Sequence, residues 1–200
     1  MINVVLTGIG GQGTVLAAKV LAQAAQNRGW HVRTAETIGM SQRGGSVVSH
    51  VRMGNHGETV ASPLVSSGQA DMLIAFEPGE AARTLPLLRR DGVLVTASSV
   101  VRPVTASLSD AVYASQPVLD ALQKREGRTI VVDEAPLLEA VGNPRSLNIV
   151  LLTVAMSAGV LGLSQEEFRV AVSECLKPRF VEMNLAAIDL VNERLGLLEE

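Results

Sequence analysis

Between residues 2 and 36 the hydrophobic period changes twice. Residues 2–6 are a short continuous apolar run. The next segment sets Lys19, Gln23, Gln26 and Asn27 on one helical face, with Val15, Leu16, Val20, Leu21 and several alanines filling the rest. Residues 31–35 then return to a strand-like pattern, after a Gly29 suited to a helix C-terminal cap. Run, helix and run make a β-α-β unit, and a helix crossing between two strands predicts that they run parallel.

Further on, residues 46–53 and 58–62 are strand-like around Gly54-Asn55-His56-Gly57, whose residue types favour a tight turn, so the two runs are expected to form a hairpin. Residues 72–76 and 93–96 read as parallel strands, separated by a helical segment beginning near Pro78 and ending at Asp91-Gly92. A seventh strand is expected at 129–132, followed by a helix from about Glu134 to Val141 that stops at Gly142-Asn143-Pro144. From about residue 146 the chain reads as helical. Ser164-Gln165-Glu166-Glu167 forms a capping box, with Leu163 and Phe168 placed as a hydrophobic staple. In a final helix Val181, Leu185, Ile188, Val191 and Leu195 share one stripe. With no internal repeat or linker, the expected fold is α/β: a single Rossmann-like domain over residues 1–200, with a mostly parallel sheet, an inserted β-hairpin and a helical C-terminal layer.

Composition narrows the function. The 200 residues are 47% hydrophobic and 18% charged, enough apolar material for a core. Lys and Arg number 17 against 20 Asp and Glu, a net charge of −3, and aromatics are scarce; neither suits nucleic acid. The uncharged stretch 146–165 carries polar and glycine interruptions and falls short of the roughly 20 apolar residues of a membrane span, so a buried core helix is expected. The N-terminus lacks a basic flank and is not read as a signal peptide. One cysteine, Cys175, closes no disulfide and cannot supply the thiolates of an iron–sulfur cluster; a reducing cytoplasm is the expected compartment.

Gly8-Ile9-Gly10-Gly11-Gln12-Gly13 matches G-x-G-x-x-G between a strand and a helix, the setting in which that motif brings an anion to a helix N-terminus. Glu36 lies 23 residues after Gly13, where a ribose-binding acid would stand, which points to NAD. The other readings are that the glycines serve only a tight turn with no ligand, and that Glu36 is a solvated loop carboxylate. A second glycine-rich loop, Gly39-Met40-Ser41-Gln42-Arg43-Gly44-Gly45, is expected at the same sheet edge. There Arg43 offers a fork for phosphate or carboxylate beside the Gly44 and Gly45 amides.

These paired loops, the second continuing through Ser46-Val47-Val48-Ser49-His50-Val51-Arg52, resemble the gamma-type subunits of 2-oxoacid:ferredoxin oxidoreductases, nearest to the indolepyruvate type. Glu77-Pro78, Asn148, Leu163-Ser164 and residues 177–184 carry weaker parts of the resemblance, which extends over essentially the whole chain. It implies a non-autonomous subunit whose larger partner holds thiamine diphosphate and the iron–sulfur clusters, with no cofactor held by this chain alone. The implied reaction is oxidative decarboxylation of an aryl 2-oxoacid with coenzyme A, giving an acyl-CoA, carbon dioxide and reduced ferredoxin. The resemblance demotes NAD and leaves Gly8, Gly10, Gly11, Gln12, Gly13 and Gly39 to Gly45 as the surface facing the shared active site or coenzyme A phosphates. Where indolepyruvate-type subunits are expected to carry a histidine just before Gly39, this chain has Ile38.

No catalytic residue emerges from the sequence. His50 and His56 have no third ligand at useful spacing, so no metal site is expected. Cys175 reads as a packing residue, Asp133 and Glu134 as the charged first turn of a helix, and Lys177-Pro178-Arg179 as basic residues near a helix end. No Tyr-x-x-x-Lys pair supports hydride chemistry.

Overall fold

The computed structural model describes residues 1–39, 44–101 and 114–196. Its elements are β1 (Ile2–Ile9), α1 (Thr14–Asn27), β2 (His31–Ile38), β3 (Ser46–Gly54), β4 (Ala70–Ala75), α2 (Pro78–Thr84), β5 (Leu88–Ala97), α3 (Gln116–Gln123), β6 (Thr129–Val132), α4 (Glu134–Val141), α5 (Leu147–Ser157), α6 (Gln165–Cys175) and α7 (Pro178–Gly196). The strands form one sheet in the order β2-β3-β1-β4-β5-β6. β1, β4, β5 and β6 pair in parallel, while β3 lies antiparallel between β1 and β2. The sheet is therefore mostly parallel, and β2 does run parallel to β1, though one strand removed from it.

Strand alternation sorts the core into two layers. Val4 and Leu6 face a cluster with Ala17, Val20 and Leu21 of α1, Ile149, Leu151 and Leu152 of α5, Phe168 of α6 and Ile188 of α7. Val5 faces the opposite side with Leu73, Ala81 of α2 and Leu122 of α3. α5 is buried from Asn148 to Met156, which accounts for its unbroken apolar sequence. The capping box at Ser164 is present with both its hydrogen bonds, Glu167 N–H to Ser164 Oγ at 3.2 Å and Ser164 N–H to Glu167 Oε2 at 2.7 Å. Gly142 ends α4 in the left-handed conformation.

The hairpin exists, but between different strands from those expected. β3 pairs with β2, and its other edge is taken by β1, so residues 58–62 have no free ladder to join. They run as irregular chain, with Val60 N–H donating to His31 Nδ1 at 3.0 Å. The helix expected to reach Asp91-Gly92 stops at Thr84, passes through a short 3-10 turn and yields to β5 at Leu88. The polar run of Arg89, Arg90 and Asp91 is a strand end carrying ion pairs to Asp71 and Glu126 rather than a helix face. The 116–123 helix went unread in the sequence. Among the described residues no helix is long and apolar enough to cross a membrane.

Candidate functional site

β1 and β4 are neighbours whose following helices leave on opposite faces, α1 onto one core layer and α2 onto the other. Their carboxyl ends form the topological switch point, where open α/β sheets bind ligands. The Gly8–Gly13 loop stands there. Gly13 is the N-cap of α1 at φ 85°, and among the described residues no side chain caps that helix, which leaves its first amides available to an anion. Gly11 at φ 106° opens onto free space.

The loop is tied down by its own glutamine. Gln12 Oε1 accepts the Ile9 N–H at 2.7 Å, and Gln12 Nε2 donates to Phe76 O at 3.0 Å, linking the loop to the end of β4. A side chain on Gly8 would meet Gln12 Oε1, Phe76 Cβ and Thr14 Oγ1 within 2.8 to 3.0 Å.

The second loop meets the first through backbone. Gly10 N–H donates to Gly45 O at 2.8 Å, and Gly39 N–H to Ser46 O at 2.8 Å closes the β2–β3 turn. Gly44 and Gly45 therefore lie beside the glycine loop, while Gly39 stands at the end of β2 against Ser46. Met40, Ser41, Gln42 and Arg43 lie outside the described residues.

Beneath the two loops sits a carboxylate centre that sequence reasoning did not separate from the Glu77-Pro78 motif. Glu80 Oε2 accepts from Ser46 Oγ at 2.6 Å, Thr7 Oγ1 at 3.3 Å, and Arg83 Nη2 and Nε at 2.6 and 3.0 Å. Arg83 also donates to Ser46 Oγ. One carboxylate thus joins β1, the start of β3 and α2. Glu77, 2% exposed, caps α2 by accepting the Glu80 N–H at 2.8 Å. Its Oε1 has no partner among the described residues. Burial pushes its carboxyl above the usual range, against the opposing pull of nearby backbone N–H groups.

Glu134, read from sequence as part of the charged first turn of a helix, does stand in the first turn of α4 but is only 4% exposed. Its Oε2 accepts Ser98 N–H at 2.9 Å and Ser98 Oγ at 3.1 Å, and its Oε1 accepts Ser99 N–H at 3.1 Å, so it anchors the chain leaving β5.

Glu36 lies exposed on β2, with β3 between it and β1. In a dinucleotide fold the ribose acid ends the strand next to the glycine loop. Here the inserted strand moves it about two strand spacings, near 10 Å, from β1. That displacement disfavours the NAD reading.

Two of the histidines serve the structure: His31 Nδ1 accepts the Val60 N–H, and His50 Nδ1 accepts the Val65 N–H at 3.3 Å, with burial lowering the His50 pKa. No group of three His, Cys, Asp or Glu is poised to hold a metal among the described residues. Cys175 ends α6 half-buried, its thiol pushed up by burial.

Residues 3–193 match the model of the pyruvate ferredoxin/flavodoxin oxidoreductase family. The chain belongs to that family. It is 35% identical over 204 residues to an indolepyruvate oxidoreductase subunit of Thermococcus kodakarensis, covering 98% of both chains. Its fold resembles a keto/oxoacid ferredoxin oxidoreductase gamma subunit from Geobacter sulfurreducens, with a TM-score of 0.68, 24% identity and coverage of 96% of this chain and 97% of that one. It also resembles part of a 2-oxoglutarate:ferredoxin oxidoreductase from Magnetococcus marinus, with a TM-score of 0.66 and 16% identity, covering 96% of this chain and 30% of that one. The resemblance to gamma-type subunits read from the paired loops is borne out. The fold thus occurs both as a chain of its own and inside a much longer one.

Proposed function

We propose that this chain is the non-autonomous subunit of a thiamine diphosphate-dependent aryl 2-oxoacid:ferredoxin oxidoreductase, of the indolepyruvate type. In the reaction a 2-oxoacid loses carbon dioxide, its acyl carbon bonds to the sulfur of coenzyme A, and two electrons pass to ferredoxin with release of one proton. Thiamine diphosphate and the iron–sulfur clusters belong to a larger partner subunit, because a chain with the single Cys175 has no thiolate set for a cluster. Ferredoxin is met through the complex, in the cytoplasm.

This chain's share is a surface. Gly8, Gly10, Gly11, Gln12 and Gly13 with Gly39, Met40, Ser41, Gln42, Arg43, Gly44 and Gly45 face the shared active site and take coenzyme A phosphates. The observation that carries this reading is the Gly10 to Gly45 hydrogen bond, which joins the two loops at the switch point beside the uncapped start of α1. Backbone amides and the helix dipole favour phosphate there, and Arg43, assigned from sequence, supplies the charge.

Anaerobic capture of the native complex through this chain, followed by viologen reduction with coenzyme A and a panel of 2-oxoacids, tests the proposal. The expected result is a co-purifying thiamine- and cluster-bearing subunit with activity that requires this chain. Arg43→Ala should weaken the apparent affinity for coenzyme A; an unchanged value counts against the phosphate role. A chain that emerges alone and loaded with NAD overturns the reading.

A further inference from the structure

Against the start of α1 the helical layer leaves a cleft of about 480 Å3, within the size range of small-molecule sites. Its apolar walls include Leu16, Leu176 and Phe180; Asn148 and Asn184 line it too, both 5% exposed or less. The orientation of each amide is fixed by one hydrogen bond. Asn148 Oδ1 accepts the Ile149 N–H at 3.0 Å, which leaves its Nδ2 as a donor. Asn184 Nδ2 donates to Phe180 O at 2.7 Å, which leaves its Oδ1 as an acceptor. Neither remaining atom has a hydrogen-bond partner among the described residues. Ser146, 1% exposed, also lines the cleft, and its Oγ is buried without a partner. It precedes α5 without a side-chain cap bond.

One fixed donor and one fixed acceptor between apolar walls suit a flat heteroaromatic ring whose edge carries an acceptor nitrogen beside an amino group. That is the edge by which asparagine reads adenine. An aryl 2-oxoacid has no such paired edge. Arg145 is exposed at the cleft, Arg179 lies over the Phe180 ring at 4.7 Å, and among the described residues no carboxylate lines the site, so its charge favours an anion. We infer that this cleft binds an adenine nucleotide, with the base on Asn148 and Asn184 and a phosphate on Arg145.

Asn148 packs directly on Gly13, so the cleft adjoins the glycine loop. If the nucleotide is the adenosine end of coenzyme A, the inference extends the phosphate reading of that loop and rests on it; if it is a free nucleotide, it stands alone.

Calorimetric titration of the full chain with AMP and with IMP tests the inference without any substitution, because IMP replaces the amino donor by a carbonyl acceptor. AMP should bind about tenfold more tightly than IMP, the discrimination expected of a paired amide edge. Asn184→Ala should reduce that ratio toward unity, and Arg145→Ala should weaken AMP while leaving adenosine unchanged. Equal binding of AMP and IMP, or no saturable binding of AMP at millimolar concentration, overturns the inference. Displacement of AMP by coenzyme A identifies the nucleotide end of the cofactor as the occupant; AMP retained under saturating coenzyme A identifies a free nucleotide, and both support an adenine site. The two readings fail separately: coenzyme A binding that depends on Arg43 while AMP and IMP bind alike leaves the loop assignment standing and removes the cleft.

Discussion

Gly13 and Asn148 are packed so closely that a Cβ on Gly13 would lie 2.9 Å from Asn148 Nδ2. The glycine also has φ 85°, where a side chain is strained. Together these fix the start of α1 against the start of α5, and both helices frame the proposed ligand surfaces. Gly13→Ala is therefore expected to destabilise the chain by about 1 to 3 kcal/mol, read as a lower urea midpoint. Gly11→Ala has strain at φ 106° but nothing within 4 Å, so it should cost less. Equal losses for the two would remove Asn148 from the account.

Ser46 and Glu80 hold the exit of the second loop. Glu80→Ala removes the acceptor for Ser46, Thr7 and Arg83 at once and leaves partly buried donors unpaired. A loss of about 1 to 3 kcal/mol is expected. Amide exchange should accelerate at Gly10, whose bond joins the two loops, and at Gly39, whose bond closes the β2–β3 turn, more than in the centre of β5. Uniform acceleration across the sheet would mean that Glu80 stabilises the whole domain rather than the loop exit.

Glu77 gives a pH dependence. Its carboxyl is raised by burial in the folded state, so folding favours the protonated form. Its contribution is fully present below the unfolded-state value, about 4.3, and is lost as pH rises through the raised folded value. Glu77→Gln, a neutral stand-in that still accepts the Glu80 N–H, is expected to gain stability relative to the parent as pH rises above about 4.3. Paired denaturation curves at acid and neutral pH measure this; a parent advantage that grows with pH contradicts a raised carboxyl.

What the sequence made legible was local. The capping box at Ser164 and the Gly142 stop both concern hydrogen bonds within one turn, and both stand where their residues placed them. The β-α-β order was legible for the same reason, since period changes are read along the chain. Strand adjacency is set across it: nothing in residues 31–35 distinguishes a strand beside β1 from one with β3 interposed, yet that insertion moved Glu36 away from the glycine loop. The Gly54–Gly57 turn looked like a hairpin because its residue types permit one; only the sheet shows both edges of β3 already taken. At the candidate site the glycines were legible as a motif, whereas Glu80 was not, because its partners lie 34 residues back in Ser46 and 73 back in Thr7.

Asp133 and Glu134 sharpen the same point into a test. As sequence they are two adjacent acids at a helix start, where the dipole favours either. In the fold Asp133 is exposed, while Glu134 is buried and accepts both the Ser98 and Ser99 amides. Glu134→Ala leaves those donors without their acceptor and should cost about 1 to 3 kcal/mol, whereas Asp133→Ala should stay within about 0.5 kcal/mol of the parent. Urea midpoints of the two variants decide it. Because the Ser98 and Ser99 bonds hold the chain at the carboxyl end of β5, the Glu134 variant should also lose amide protection there before it loses protection in β1. Equal costs for the two substitutions would return Glu134 to the role of a helix-dipole acid.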